Sequence, residues 1–239
     1  KLLEKEVERF RWMLGMPHIA AWSAEGRSRG VLLFWKREVD IMLRSFGGRH
    51  VDVDVKEVDG RVWRLTGVYG ESAAGRKVQT WKTLRVLGQQ HQGGRRWLCQ
   101  GDFNEILHKE EQMSPNERDS AQMAGFREVV DICGLNDLGY IGLDWTFEKK
   151  VTGGTYTRVR LDRALGSTEW CSLFPLAGVN HLTSATSDHG PIQLVLNMEQ
   201  DQRPPKEKIF RYEVAWETHE DLKGTIGVSW AAPMEEGRV

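Results

Sequence analysis

The chain has 239 residues, 40% hydrophobic and 28% charged, with 33 Lys and Arg against 34 Asp and Glu and a net charge of −1. This suits one large domain with a sizeable core, contains no apolar run near the ~20 residues that span a bilayer, and offers no global basic surface for nucleic acid, so phosphate would have to be met by a local patch or a bound cation. Three cysteines (Cys99, Cys133, Cys171) without a C-x-x-C pair read as reduced thiols of an intracellular protein, with neither a disulfide frame nor a zinc motif, and no signal peptide is visible.

Leu3, Val7, Phe10 and Leu14 recur at helical spacing, and Gly15 with Pro17 ends that helix. No N-cap residue precedes it, and the first residue is Lys1, so the sequence reads as cut from something longer. Residues 18–23 suit a short strand and 25–30 a turn. Val31 to Trp35 is a continuous apolar run, as in a strand buried on both faces. Residues 41–46 form the next strand. Val51, Val53 and Val55 alternate with acidic residues, which predicts a half-buried strand, and Asp59-Gly60 turns it into Val62 to Tyr69. A helix is predicted over 75–88 with Val78, Trp81, Leu84 and Leu87 inside, then a strand over 97–103 and an exposed loop over 109–119. The helix over 120–133 carries Met123, Phe126, Val130 and Cys133 inward, with Gly134 at its end. Leu143 to Phe147 reads as a strand, turned at Gly153-Gly154 into a strand over 155–161. A short helix over 167–174 stops at Pro175, and strands over 179–182 and 192–196 follow. Pro204-Pro205 marks a linker, and 209–239 a separate tail. Many short strands with three or four helices do not make the regular alternation of a doubly wound fold; two packed mixed sheets with helices outside fit better.

Several polar groups stand at strand ends. Asp102 and Asn104, two apart behind Gly101, project from the same face of an extended chain and suit a phosphate, a hydrated metal ion or an attacking water; the plainer alternative is an Asx turn. Ser187-Asp188-His189 sets a carboxylate beside an imidazole, a pair fit for metal binding and proton transfer or simply a surface loop. Asp162 lies between Arg160 and Arg163, where it is either salt-bridged or the carboxylate that orients a histidine. Tyr69 ends a strand where its phenol can reach a phosphate oxygen or pack in the core. Trp145-Thr146-Phe147 is core or the wall of a nucleic-acid groove. With no G-x-S-x-G elbow and no P-loop, Asp, Asn and His on separate strand ends fit metal-assisted hydrolysis of a phosphoester.

The order of these motifs resembles the endonuclease/exonuclease/phosphatase superfamily, and more closely the apurinic-endonuclease-like domain of plant LINE-type (non-LTR) retrotransposons. The matching stretches are Gly30 to Trp35, Trp63 to Gly70, Gly101-Asp102-Phe103-Asn104-Glu105-Ile106-Leu107, Cys133-Gly134-Leu135, Asp137-Leu138-Gly139, Arg160-Leu161-Asp162-Arg163, Phe174-Pro175 and Ser187-Asp188-His189. They are collinear over residues 1–197, followed by a linker over 198–208 and a tail over 209–239 resembling the segment that leads toward a reverse transcriptase, which this chain does not contain. The resemblance implies an α/β fold, a four-layer sandwich of two mixed β-sheets packed face to face with helices outside, lacking its first strands. It implies a nuclear monomer that nicks DNA with Mg²⁺ or Mn²⁺ and leaves a 3′ hydroxyl. By resemblance Asp102 positions or deprotonates the attacking water and Asn104 holds the scissile phosphate. His189, oriented by Asp162, stabilises its charge, Tyr69 contacts it, and Asp188 helps bind the metal. Thr146, with Trp145 and Ser187, lies on the substrate side. The family's first Asn and its metal-binding Glu are expected just upstream of Lys1, so the resemblance implies impaired activity in a chain without them. Two rivals remain: a phosphatase of the same superfamily acting on a small phosphoester, and a non-catalytic relic.

Overall fold

The computed structural model describes residues 4–23, 30–90, 96–150 and 156–198. The helix α1 (Glu4–Leu14) leads into strands β1 (His18–Ser23), β2 (Gly30–Trp35), β3 (Asp40–Gly47), β4 (His50–Lys56) and β5 (Val62–Tyr69). Then come α2 (Lys77–Gln89), β6 (Trp97–Asp102), a two-residue β7 (Gln112–Met113) and α3 (Ser120–Ile132). The rest is β8 (Leu135–Asp137), β9 (Ile141–Gly142), β10 (Phe147–Lys150), β11 (Tyr156–Val159), β12 (Asp162–Ser167), α4 (Thr168–Leu173), β13 (Gly178–His181) and β14 (Ile192–Val195). Among the described residues no helix is long and apolar enough to cross a membrane.

A six-stranded mixed sheet in the order β3-β4-β5-β6-β12-β8 forms the centre, with β5 and β6 parallel and their other neighbours antiparallel. Side chains alternate across it with the period of two that a strand imposes. On β6, Trp97 and Cys99 face α2 and α3, joining Trp81, Leu84, Leu87, Phe126 and Val129 in one core. Leu98, between them, joins the opposite core with Val51, Val53 and Val55 of β4, Trp170 and Phe174 at α4, Val31 and Leu33 of β2, and Val179, Ile192 and Leu194 of β13 and β14. A helical layer therefore covers one face, and smaller sheets cover the other: the pair β1-β2 and the trio β14-β13-β9. A third small sheet, β10-β11-β7, packs Phe147 and Val159 with Ile106, Leu161 and Met123 of α3 in a separate cluster. The α/β architecture is the expected one, with the second layer divided into separate small sheets.

Several sequence expectations change. Asp52 is wholly buried, with Arg64 donating to both its oxygens at 2.6 and 2.7 Å and Thr66 donating at 2.7 Å, so the polar face of β4 is covered at this position while Asp54 stays partly open. Val78 is exposed, and Lys77 and Thr80 take the inner face of α2 with Trp81. The stretch 109–119 is not all exposed loop: it carries a 3₁₀ turn (Lys109–Glu111) and β7, which pairs with β11. Residues 143–146 are irregular, and the strand begins at Phe147. Phe10 and Leu14 of α1 are exposed. The turn over 25–30 (but for Gly30), the Gly153-Gly154 turn, and the linker and tail beyond Met198 lie outside the described residues.

Candidate active site

Three adjacent strands end in one row. Tyr69 of β5 is in register with Asp102 of β6, and Asp102 with Asp162 of β12. Strands can approach this closely there because two positions lack a side chain. A Cβ at Gly101, whose φ is +144°, would sit 2.0 Å from the Val68 carbonyl oxygen, and one at Gly70 would sit 2.2 Å from the Phe103 carbonyl oxygen.

His189 reaches this row from the segment before β14. A Ser187 Oγ that accepts the His189 backbone N–H at 3.1 Å shapes its turn. Bridging of Phe147 to His189 and donation from Gly190 N–H to the Thr146 carbonyl at 2.7 Å tie the turn to β10. The imidazole Nδ1 meets Asp162 Oδ2 at 2.9 Å. That contact makes Nδ1 the protonated nitrogen and leaves Nε2 as the group to offer outward. The hydrogen bond to Asp162 raises the His189 pKa, outweighing burial. Asp102 also lies above its ordinary range: burial first, then the Asp162 carboxylate, push it up to about 6. Atoms of Asp102, Asp162 and His189 lie within 4.8 Å of one another, a grouping able to hold a cation.

Asn104 serves Asp102 directly. Its backbone N–H donates to Asp102 Oδ1 at 2.7 Å, and its side-chain Nδ2 donates to Asp102 Oδ2 at 2.9 Å and to the Gly70 carbonyl at 3.0 Å. Both Nδ2 hydrogens are thus committed within the protein, so a phosphate held by this amide would have to displace one of them.

Other expected residues stand elsewhere. Thr146 is 3% exposed, and its Oγ1 accepts the backbone N–H of Leu161 at 3.0 Å and of Asp162 at 2.9 Å. It therefore holds the Asp162 backbone from behind instead of facing a substrate. Trp145 is half-buried with the Arg158 guanidinium 4.2 Å over its ring. Asp188 is exposed and outside the three-residue grouping, though its charge helps raise His189. Tyr69 lies under the Arg49 guanidinium at 5.6 Å.

Sequence reasoning missed the supports. Arg160 and Arg163 do not pair with Asp162. They bind Asp137 (2.8 Å from each) and Glu111 (3.1 and 2.7 Å), locking β12 to β8 and to the 3₁₀ turn. Burial works to raise Asp137, but the two guanidinium groups outweigh it and hold the carboxyl at about 2. Glu105, wholly buried, takes Lys77 and Arg118. The signal was available: a carboxylate inside the apolar run from Phe103 to Leu107 must find a cation if it is buried.

No family model matches the chain, and no curated protein matches it. Solved structures do. The endonuclease domain of TRAS1, a telomere-specific non-LTR retrotransposon, superposes with a TM-score of 0.61 at 14% identity, over 84% of this chain and 94% of that one. A humanized D. rerio TDP2 gives 0.51 at 18% identity over 80% and 81%. An endonuclease/exonuclease/phosphatase family protein from Leptotrichia buccalis gives 0.50 at 16% identity over 74% and 70%. The fold of this chain is that of endonuclease/exonuclease/phosphatase proteins.

Proposed function

We propose that this chain is a metal-dependent phosphodiesterase that nicks DNA, of the kind carried by non-LTR retrotransposons. The observation that carries the proposal is the His189–Asp162 hydrogen bond beside an Asp102 carboxyl whose pKa stands near 6, in a chain folded like the TRAS1 endonuclease domain. Asp102, ionised above pH 6, takes a proton from the attacking water. The water oxygen forms a bond to phosphorus, the bond from phosphorus to the 3′ oxygen breaks, and that oxygen takes a proton from solvent and leaves as a 3′ hydroxyl. Protonated His189, fixed by Asp162, faces the charge that builds on the phosphate. Tyr69 contacts the phosphate from the neighbouring strand end, and Trp145 and Ser187 lie along the substrate.

The donor chemistry fits a hard divalent cation: two carboxylates with oxygen donors stand beside one imidazole. Asp188, approaching from solvent, would help hold Mg²⁺ or Mn²⁺ beside this grouping, which leaves Asp102 as the base and Asp162 on His189. When bound, that ion neutralises phosphate oxygens. Action on genomic DNA would put the protein in the nucleus, as a monomeric segment of a polyprotein that also carries a reverse transcriptase.

A supercoiled plasmid assay with Mg²⁺ or Mn²⁺ tests this. Open circles that carry 3′ hydroxyl ends, extendable by a polymerase, are expected, with loss of 10²-fold or more, on the order of a general base's contribution, in Asp102→Ala. Absence of nicking together with turnover of a small phosphomonoester would replace the nuclease with a phosphatase. Absence of both would leave a folded relic.

A further inference from the structure

We propose that Lys77, Glu105 and Arg118 are positioning residues: together they clamp the Asn104 carbonyl and so hold Asn104 in the one backbone conformation that lets it grip both oxygens of Asp102. Among the described residues Asn104 is the one non-glycine residue with positive φ, at +54°. A residue with a side chain occupies that region only where its surroundings impose it. Here they do so on the carbonyl side. Lys77 Nζ and Arg118 Nη1 each donate to the Asn104 carbonyl oxygen at 2.8 Å.

The two cations come from different elements and are themselves fixed. Lys77 opens α2 and is 5% exposed; Arg118 stands just before Asp119, the N-cap of α3. Glu105, with no exposure, binds both: Lys77 on Oε2 and Arg118 on Oε1 at 3.3 Å, while Oε1 also accepts the Ile106 N–H at 3.0 Å. A buried carboxylate shared by two cations keeps both ammonium and guanidinium from leaving for solvent. The start of α2 and the approach to α3 therefore grip the loop after β6 from two sides.

The consequence falls on Asp102. With the Asn104 carbonyl pinned, its N–H and its Nδ2 both point back to the carboxylate, at 2.7 and 2.9 Å. Relaxation of Asn104 to negative φ would break this pair of bonds and free the Asp102 side chain to rotate. The clamp itself is a statement about geometry; its effect on catalysis rests on the nuclease reading given above.

Amide hydrogen exchange of the full chain, followed residue by residue by NMR, tests the clamp without reference to activity. In Lys77→Met/Glu105→Gln, which removes the cation without leaving a buried charge, the Asn104 N–H is expected to exchange at least about 10-fold faster, while Leu98 and Cys99 inside β6 keep their rates. Lys77→Arg, with Glu105 intact, is expected to keep the slow exchange. Arg118→Gln removes the outer donor from a part-exposed position and is expected to give a smaller acceleration, so it decides the matter if the double variant does not fold. Unchanged Asn104 exchange in the folded variants, or acceleration spread evenly along β6, overturns the proposal. In the plasmid assay the double variant is expected to lose about 100-fold in kcat with KM little changed, because a misdirected group costs rate more than binding. If the unaltered chain does not nick, the exchange result still decides the clamp, and only the nuclease reading falls.

Discussion

The Asp162 carboxylate acts on two neighbours at once: its hydrogen bond raises His189, and its charge adds to the burial that pushes Asp102 up to about 6. Activity that needs Asp102 ionised and His189 protonated follows a bell in pH, rising through about 6 and falling where His189 loses its proton. In Asp162→Asn both influences weaken. The alkaline limb of kcat/KM against pH is expected to move to lower pH, and the acid limb also downward; an unmoved alkaline limb would show that Asp162 does not set the histidine. The raised Asp102 pKa also bears on stability. A carboxyl raised in the folded state costs nothing where it is protonated in both states, below about pH 4, and its cost is complete above about 6. Asp102→Asn, measured by denaturation in the presence of a chelator, is expected to be more stable than the unaltered chain at pH 8, by up to ~2 kcal/mol, with the gain vanishing near pH 4.

The site is assembled at the level of elements by what β12 is fastened to. Arg160 and Arg163 join Glu111 and Asp137, so the strand end bearing Asp162 is locked to β8 and to the turn before β7. Asp137, held at about 2, lies below its ordinary value. Its contribution is therefore full above about pH 4 and is lost as the pH falls toward 2. Asp137→Asn leaves Arg163, which has no exposure, short of a charge partner, and is expected to destabilise by about 3–5 kcal/mol at pH 7. Chemical denaturation at pH 7 and pH 3 checks it: the difference between variant and unaltered chain should shrink at the lower pH.

At the scale of the molecule, charge is nearly balanced, so any grip on DNA must be local. Two exposed cations, Lys149 and Lys150 on β10, stand along the hairpin whose first residue bridges to His189, while Arg158 on β11 is paired with Glu148. With about two phosphate contacts, metal-free binding to a duplex is expected to be weak, with a slope of log K against log salt near −2, and Lys149→Ala/Lys150→Ala should remove most of that slope. A steep slope unaffected by that double variant would locate the DNA elsewhere.

The sequence by itself determined the kind of fold, because hydrophobic periodicity is local: two along β5 and β6, about four along α2 and α3, with Gly60 and Gly134 at the turns. It also singled out Asp102, Asp162 and His189, which the fold brings together, since the collinear motifs around them are short and contiguous. It misread Thr146, Val78 and residues 143–146, where burial depends on what packs from another part of the chain. Tertiary structure alone decided that Asp162 serves His189 and not its flanking arginines, that Asp52 is buried, and that Lys77, 28 residues from Glu105, meets it. The physical reason is common to all three. A polar side chain carries no periodic signal of its partner, and whether a carboxylate is solvated, paired or raised in pKa is set by the charges that distant strands bring within a few ångströms of it.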